Sequence, residues 1–196
     1  GTWPGNMLIA NSSLLERCAR KDSAAQFELY KVLRDMLLSV AHRYERDALQ
    51  RKAMVNTAFL KILDHLPEKH PDAPFEAWCR RIMINTVLNE QRNHRTANGH
   101  GVLQQVDLLD GHGPSSFNGA EETIQAEELQ HMMDRLPTVT RQVFNLYAID
   151  GWKHKEIAVS LGISEGTSKW HVNHARQALQ GMLEKELHAH LKLRIA

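Results

Sequence analysis

The sequence is short of the features that mark several large classes of protein. It has only two cysteines, Cys18 and Cys79, and neither stands in a CxxC or other metal-ligand spacing, which argues against a disulfide framework and a cysteine zinc site. Each lies within an amphipathic helical pattern, so both are expected to be buried free thiols of a reducing compartment. No apolar run approaches the ~20 residues of a membrane-crossing helix, and no signal peptide is visible. The expectation is therefore a soluble, cytoplasmic protein with no membrane insertion. Alternating apolar and polar strand patterns are absent too, which leaves helices. With a net charge of +1, no overall excess of either sign announces a partner.

Charge is informative in its distribution. Residues 96–130 contain no lysine or arginine against 6 acidic residues, whereas residues 1–95 carry 15 basic against 11 acidic and residues 131–196 carry 9 against 6. Two mildly basic blocks flanking an acidic middle suit two nucleic-acid-binding domains joined by a segment that avoids phosphate. A length of 196 residues can hold one large domain or two small ones. The division expected is a helical domain over residues 7–95, a flexible linker over 96–120, rich in Gly, His, Asn and Ser, and a second helical domain over 121–196. Gly1 to Asn6 is expected to be an added leader and is set aside.

The first domain reads as four helices. One covers about Ser13 to Arg20. A second opens at Ser23, where Ser23 and Gln26 match a capping box, and carries the stripe Phe27, Tyr30, Leu33, Leu37, Val40, Ala41 and Tyr44. The third runs from about Ala48 to Leu66 on Met54, Val55, Ala58, Phe59, Ile62, Leu63 and Leu66. After a loop punctuated by Pro67, Pro71 and Pro74, the fourth runs from Phe75 to about Arg92. In it Phe75, Trp78, Ile82 and Val87 suit a packed side, while Arg80, Arg81, Arg92 and Arg95 would reach solvent and could neutralise a nucleic-acid backbone. Asn85 and Asn89 offer donors and acceptors to base edges. The plainer reading of the same helix is a solvated cationic face over a core tryptophan.

The second domain is organised around residues 152–167. Ile157, Ala158 and Leu161 mark the buried side of a short helix, Gly162 supplies a positive-φ stop, and Ile163 would plug the corner. Ser164 is placed to cap a second helix, whose inward stripe is Ser168, Val172, Ala175 and Leu179. Glu165, Lys169, Trp170, Asn173, His174 and Arg176 are left outward. This pattern is a helix-turn-helix, whose second helix can lie in a DNA major groove; a glycine-cornered helix pair that never meets DNA would look much the same. His171 and His174 lie three apart on that helix, a spacing able to hold a metal, although groove contact explains them more simply and no metal is expected.

A resemblance runs through both domains. Leu136-Pro137, Arg141 to Tyr147, Asp150-Gly151, His154 to Ala158 and Leu161 to Lys169 resemble region 4 of the bacterial extracytoplasmic-function sigma factors, of the sigma-70 family. Phe75 to Trp78, Arg81-Ile82 and Ile84-Asn85-Thr86 resemble the end of their region 2, and Gln26 to Tyr30 with Arg43-Tyr44 its start. The resemblance implies an all-α protein of two small helical domains, without enzymatic activity or cofactor, that binds core RNA polymerase through the β′ clamp and β flap. It further implies that Lys169, Trp170, Asn173, His174 and Arg176 face the minus-thirty-five element of promoter DNA. Asn85 would lie at the loop holding a flipped base of the minus-ten element, with Trp78, Arg80 and Arg81 nearby. An anti-sigma protein is an expected partner, the free chain is expected to be a monomer, and the linker would thread the polymerase cleft.

One stretch departs from that pattern. Where the family has Asp-x-x-Gln-Glu-x-Phe facing the clamp, this chain has Ala53, Asn56, Thr57 and Phe59, preceded by Arg51 and Lys52. Lys52, Asn56 and Phe59 are the expected polymerase-binding residues. The altered run leaves open a decoy whose main partner is a regulator protein.

Overall fold

The computed structural model describes residues 12–70, 72–97 and 126–195, all strand-free. The chain divides into two compact units, Gly1–Gly101 and Val102–Ala196. Among the described residues, no helix is long and apolar enough to cross a membrane. Gly1 to Asn6, Pro71 and the expected linker beyond Ala97 lie outside the described residues.

The first unit is built from α1 (Ser12–Ala19), α2 (Ser23–His42), α3 (Ala48–His65), a 3-10 turn (Leu66–Glu68) and α4 (Phe75–Ala97). Its core is formed by Leu29, Leu33, Leu37 and Val40 of α2, Val55 and Ile62 of α3, and Met83, Ile84 and Val87 of α4. The expected Ser23–Gln26 capping box is not what starts α2. Asp22 caps instead, its Oδ1 accepting from the amides of Ala24 at 3.0 Å and Ala25 at 3.2 Å, while the Gln26 side chain donates to the Cys18 carbonyl. A carboxylate one residue earlier is the stronger acceptor for the free amides of a helix start.

Two expected stripes hold in part: Leu33, Leu37, Val40 and Ala41 of α2, Tyr44 just beyond it and Val87 of α4 are buried as expected, and other members are not. Phe27 is 63% exposed, because the buried face of α2 follows Ala25, Leu29, Leu33, Met36 and Val40, and Phe27 sits two residues, about 200°, away from that line. In α4 the packed line is Cys79, Met83 and Val87, with Ile84, Thr86 and Leu88 also buried; Trp78 and Ile82 are only half-buried. Both cysteines are free and buried. Burial pushes the Cys79 thiol up to about 12, so it stays protonated and inert.

The second unit contains α5 (Ala126–Asp134), α6 (Thr138–Phe144), one π-helical turn (Asn145–Ile149), α7 (His154–Leu161) and α8 (Glu165–Ile195). The first residues of the expected second domain, 121–125, lie outside the described residues. Met132, Met133 and Leu136 pack on Ala175 and Leu179, with Phe144, Met182 and Leu183 at the edge. Arg141 is 6% exposed and donates to Asp134 Oδ1 at 2.8 Å, so a half-buried ion pair, its carboxylate partly open to solvent, ties α6 to the end of α5. The last helix continues past Leu183, since α8 runs to Ile195.

Candidate nucleic-acid interface

The corner between α7 and α8 forms as its local chemistry dictates. Gly162 takes φ 68°, a left-handed conformation that a side chain would strain, and ends α7. The Ser164 hydroxyl accepts from the Thr167 amide at 2.9 Å and starts α8. At the other end of α7, Glu156 reaches back to accept from the Lys153 amide at 3.0 Å. Gly151 also has a positive φ, 71°, where the chain turns from the π-helical turn toward α7.

Two contacts of His154 fix the start of α7, one to α8 and one to the π-helical turn, and neither has a local sequence signal. His154 Nδ1 lies 2.9 Å from Ser168 Oγ, and the His154 ring stacks on Tyr147 with centroids 4.4 Å apart. Burial, then Lys169, holds the His154 pKa below its ordinary value. Its field includes Lys169, Arg176 and Glu165, which places this half-buried ring beside the outward face of α8.

On α8 the expected outward residues fall into two rows. Lys169 and Asn173 are exposed and Arg176 half-buried; their spacing of four and three puts them on one line of the helix. Trp170 and His174 form a second line, both half-buried, with rings stacked at 4.8 Å and an interplanar angle of 4°. The first row combines two cations with an amide, which can neutralise phosphates and pair with a base edge.

His171 belongs to neither row. It is 9% exposed and its Nδ1 lies 2.9 Å from Thr140 Oγ1 on α6, while its ring meets Trp170 edge-on at 4.9 Å. Burial, then His174, lowers its pKa. The expected spacing with His174 is real, yet one ring is committed to the interior and the other to Trp170. Its place three residues after Ser168 and four before Ala175 was the available sign that it continues the inward stripe.

The first unit carries a second polar strip. Trp78, Arg81, Asn85, Asn89 and Arg92 recur at three, four, four and three residues along α4, the last four of them exposed and Trp78 half-buried against Phe75. They span about 21 Å of helix. Ile84 and Thr86 are both buried, so Asn85 alone of that trio reaches solvent. Arg80 is off the strip: it is half-buried and gripped by Glu76, at 2.6 Å from Nη2 and 3.1 Å from Nε. The two residues are one helical turn apart, and with its side chain 36% exposed Arg80 reaches solvent as expected, its charge already engaged by Glu76. The side chain of Arg95 lies outside the described residues.

On α3, Lys52 and Asn56 are exposed, and the Asn56 side-chain Oδ1 accepts from the Tyr30 hydroxyl at 3.1 Å. Phe59 is only 8% exposed and packs edge-on against Tyr30 at 5.1 Å, so it supports this surface from beneath. Arg51, next to Lys52, donates to the backbone carbonyls of Glu45 and Arg46. Thr57 Oγ1 turns back to the Ala53 carbonyl at 3.1 Å.

Comparison with known proteins places both units. Residues 29–96 match the Sigma-70 region 2 family and residues 126–179 the Sigma-70, region 4 family. The chain is 28% identical over 169 residues to the ECF RNA polymerase sigma factor SigL of Mycobacterium tuberculosis, covering 83% of this chain and 93% of SigL. It is 26% identical over 148 residues to a protein of Xanthomonas campestris pv. campestris named "Probable RNA polymerase sigma factor RfaY", covering 74% of this chain and 37% of RfaY. The fold is similar, with TM-score 0.51 and 17% identity, to the Bartonella quintana sigma factor RpoE solved in complex with the anti-sigma factor NepR, over 80% of this chain and 95% of that one.

Proposed function

We infer the action of this chain from the family to which it belongs, the sigma-70 family of bacterial RNA polymerase sigma factors, in its extracytoplasmic-function group. Such a protein serves transcription initiation. The finer reading is that residues 121–196 read the minus-thirty-five element as duplex and residues 7–95 open the minus-ten element. Residues 96–120 tether the two. Lys169, Asn173 and Arg176 enter the major groove, with Trp170 and His174 along its side. The strip Trp78, Arg81, Asn85 and Arg92 receives the opened strand, where a side-chain amide and a ring face can hold a base taken from the stack. Core polymerase and an anti-sigma protein are the protein partners, the former engaged around Lys52 and Asn56. The free chain is a monomer.

The observation that carries this reading is the outward row of exposed Lys169 and Asn173 with half-buried Arg176, on a helix begun at a glycine corner. Its test is promoter binding by the full chain with core polymerase. Lys169→Ala and Arg176→Ala each weaken binding, with a shallower salt dependence for whichever loses a phosphate contact. Unchanged affinity and salt slope in both variants remove α8 from the DNA.

A second reading has one observation in its favour. With Ala53 in place of a carboxylate and Thr57 bonded back to Ala53, α3 offers no acidic group at that turn. A decoy that occupies a regulator would need none. Promoter-dependent transcripts from the reconstituted chain and core polymerase exclude it; anti-sigma binding without transcripts establishes it.

A further inference from the structure

A line of contacts runs from the interior of the second unit to its DNA-facing surface. Thr140 on α6 is 1% exposed, and its hydroxyl lies 2.9 Å from His171 Nδ1. The His171 ring meets Trp170 edge-on at 4.9 Å and 76°. Trp170 in turn lies flat on His174, at 4.8 Å and 4°. A half-buried indole on a helix surface would ordinarily sample several rotamers. Here one ring edge and one ring face bracket it, and the inner ring is itself held by a buried hydroxyl.

The bracketing has a chemical consequence. The Trp170–His174 line lies beside the Lys169–Asn173–Arg176 row, on the flank of α8 nearer His171 and away from Lys169's neighbour His154. A rigid apolar plate beside a polar row gives a major-groove helix a way to sense the one apolar group that base edges present there, the thymine 5-methyl. We propose that Thr140 and His171 are positioning residues that hold the Trp170–His174 plate for contact with a thymine methyl in the duplex this chain reads. The proposal rests on the promoter reading above and names the base chemistry of that site. Freezing the plate before binding removes the entropy that a mobile indole would lose on contact, so the discrimination depends on the buried hydroxyl and not only on the exposed rings.

The test uses the full chain and two substitutions at one site. Thr140→Val keeps the shape and loses the hydroxyl; Thr140→Ser keeps the hydroxyl. A duplex selected by the wild-type chain from a random pool is scanned by replacing each dT with dU, which deletes only the methyl. The wild type loses about fourfold in affinity at one position, the effect of one buried methyl. Thr140→Ser retains that loss, whereas Thr140→Val and Trp170→Ala bind dT and dU alike at the same position and keep the wild-type salt slope. A second measurement needs no DNA. In the chain labelled with 5-fluorotryptophan, the Trp170 resonance, assigned with Trp170→Phe, broadens or shifts in Thr140→Val and not in Thr140→Ser.

Failures separate cleanly. A wild-type chain that selects no duplex sinks the promoter reading, and the methyl contact with it. A selected duplex with a flat dU scan sinks the methyl contact alone. A Thr140→Val chain with an unmoved Trp170 resonance or an intact dU penalty removes Thr140 and His171 as positioning residues.

Discussion

The imidazole of His154, the first residue of α7, meets the hydroxyl of Ser168, in the first turn of α8, at 2.9 Å. Ser168 is fully buried, so this bond is shielded on the α8 side, and it closes the open end of the corner that Gly162 makes. Packing of α7 on α8 would tolerate small rotations; a directed bond between their N-terminal turns does not.

Ser168→Ala removes that restraint at little change in volume. The expected loss is about 1 kcal/mol of stability, the net worth of one intramolecular hydrogen bond, read as a lower urea midpoint with an unchanged slope. Duplex affinity falls further than stability alone accounts for, because the relative angle of α7 and α8 sets how many groups reach the groove together. A variant whose midpoint and affinity both match the wild type would show that apolar packing alone fixes the angle.

The two histidines whose pKa values are lowered, His171 and His154, give the second unit a pH dependence of definite sign. In the unfolded chain both take a proton near 6.5; in the folded chain burial opposes it. The unfolded state therefore binds more protons as pH falls below 6.5, and stability, complete above that value, declines toward the lower folded pKa values. Urea midpoints at pH 7.5, 6.5 and 5.5 should fall in that order. His171→Gln, which cannot titrate, should flatten the decline, and an equally steep profile in that variant would assign the effect elsewhere.

Asn85 is the solvent-facing member of a trio whose other two residues are core. Asn85→Ala consequently leaves the fold intact and spares duplex binding, while strand opening is impaired or its base preference altered. Permanganate reactivity of thymines in the complex with core polymerase reads this directly. Wild-type reactivity in the variant would place the opened strand away from α4.

Restoring acidity on α3 tests the departure from the family pattern. Ala53→Asp with Thr57→Glu puts two carboxylates one turn apart on a face where Ala53 is exposed and Thr57 half-buried. Affinity for core polymerase rises several-fold, a gain that salt should screen if it is electrostatic. An unchanged or weaker affinity would mean that this surface engages a different partner, as the decoy reading requires.

The helices and the corner between α7 and α8 were legible because their causes lie within a few residues. Apolar spacing predicts α3, and a glycine followed by Ser164 predicts both the end of α7 and the start of α8. The short α6 and the π-helical turn after it gave no such signal, since neither is long enough to show a period. Asp22 and Ser23 are adjacent capping residues, and only the relative reach of their side chains decided between them.

Where each side chain would stand was a different matter. The sequence determined that α8 has an inward stripe and an outward row, and that α4 has cations and amides to offer. Tertiary structure alone decided that His171 turns to Thr140, that Asn56 meets the Tyr30 hydroxyl, and that Phe27 is left outside. The physical reason is range. Helix periodicity and capping are set by neighbours within about a turn, whereas the face of a helix that is buried, and the partner a polar atom finds there, depend on which other helix arrives across it.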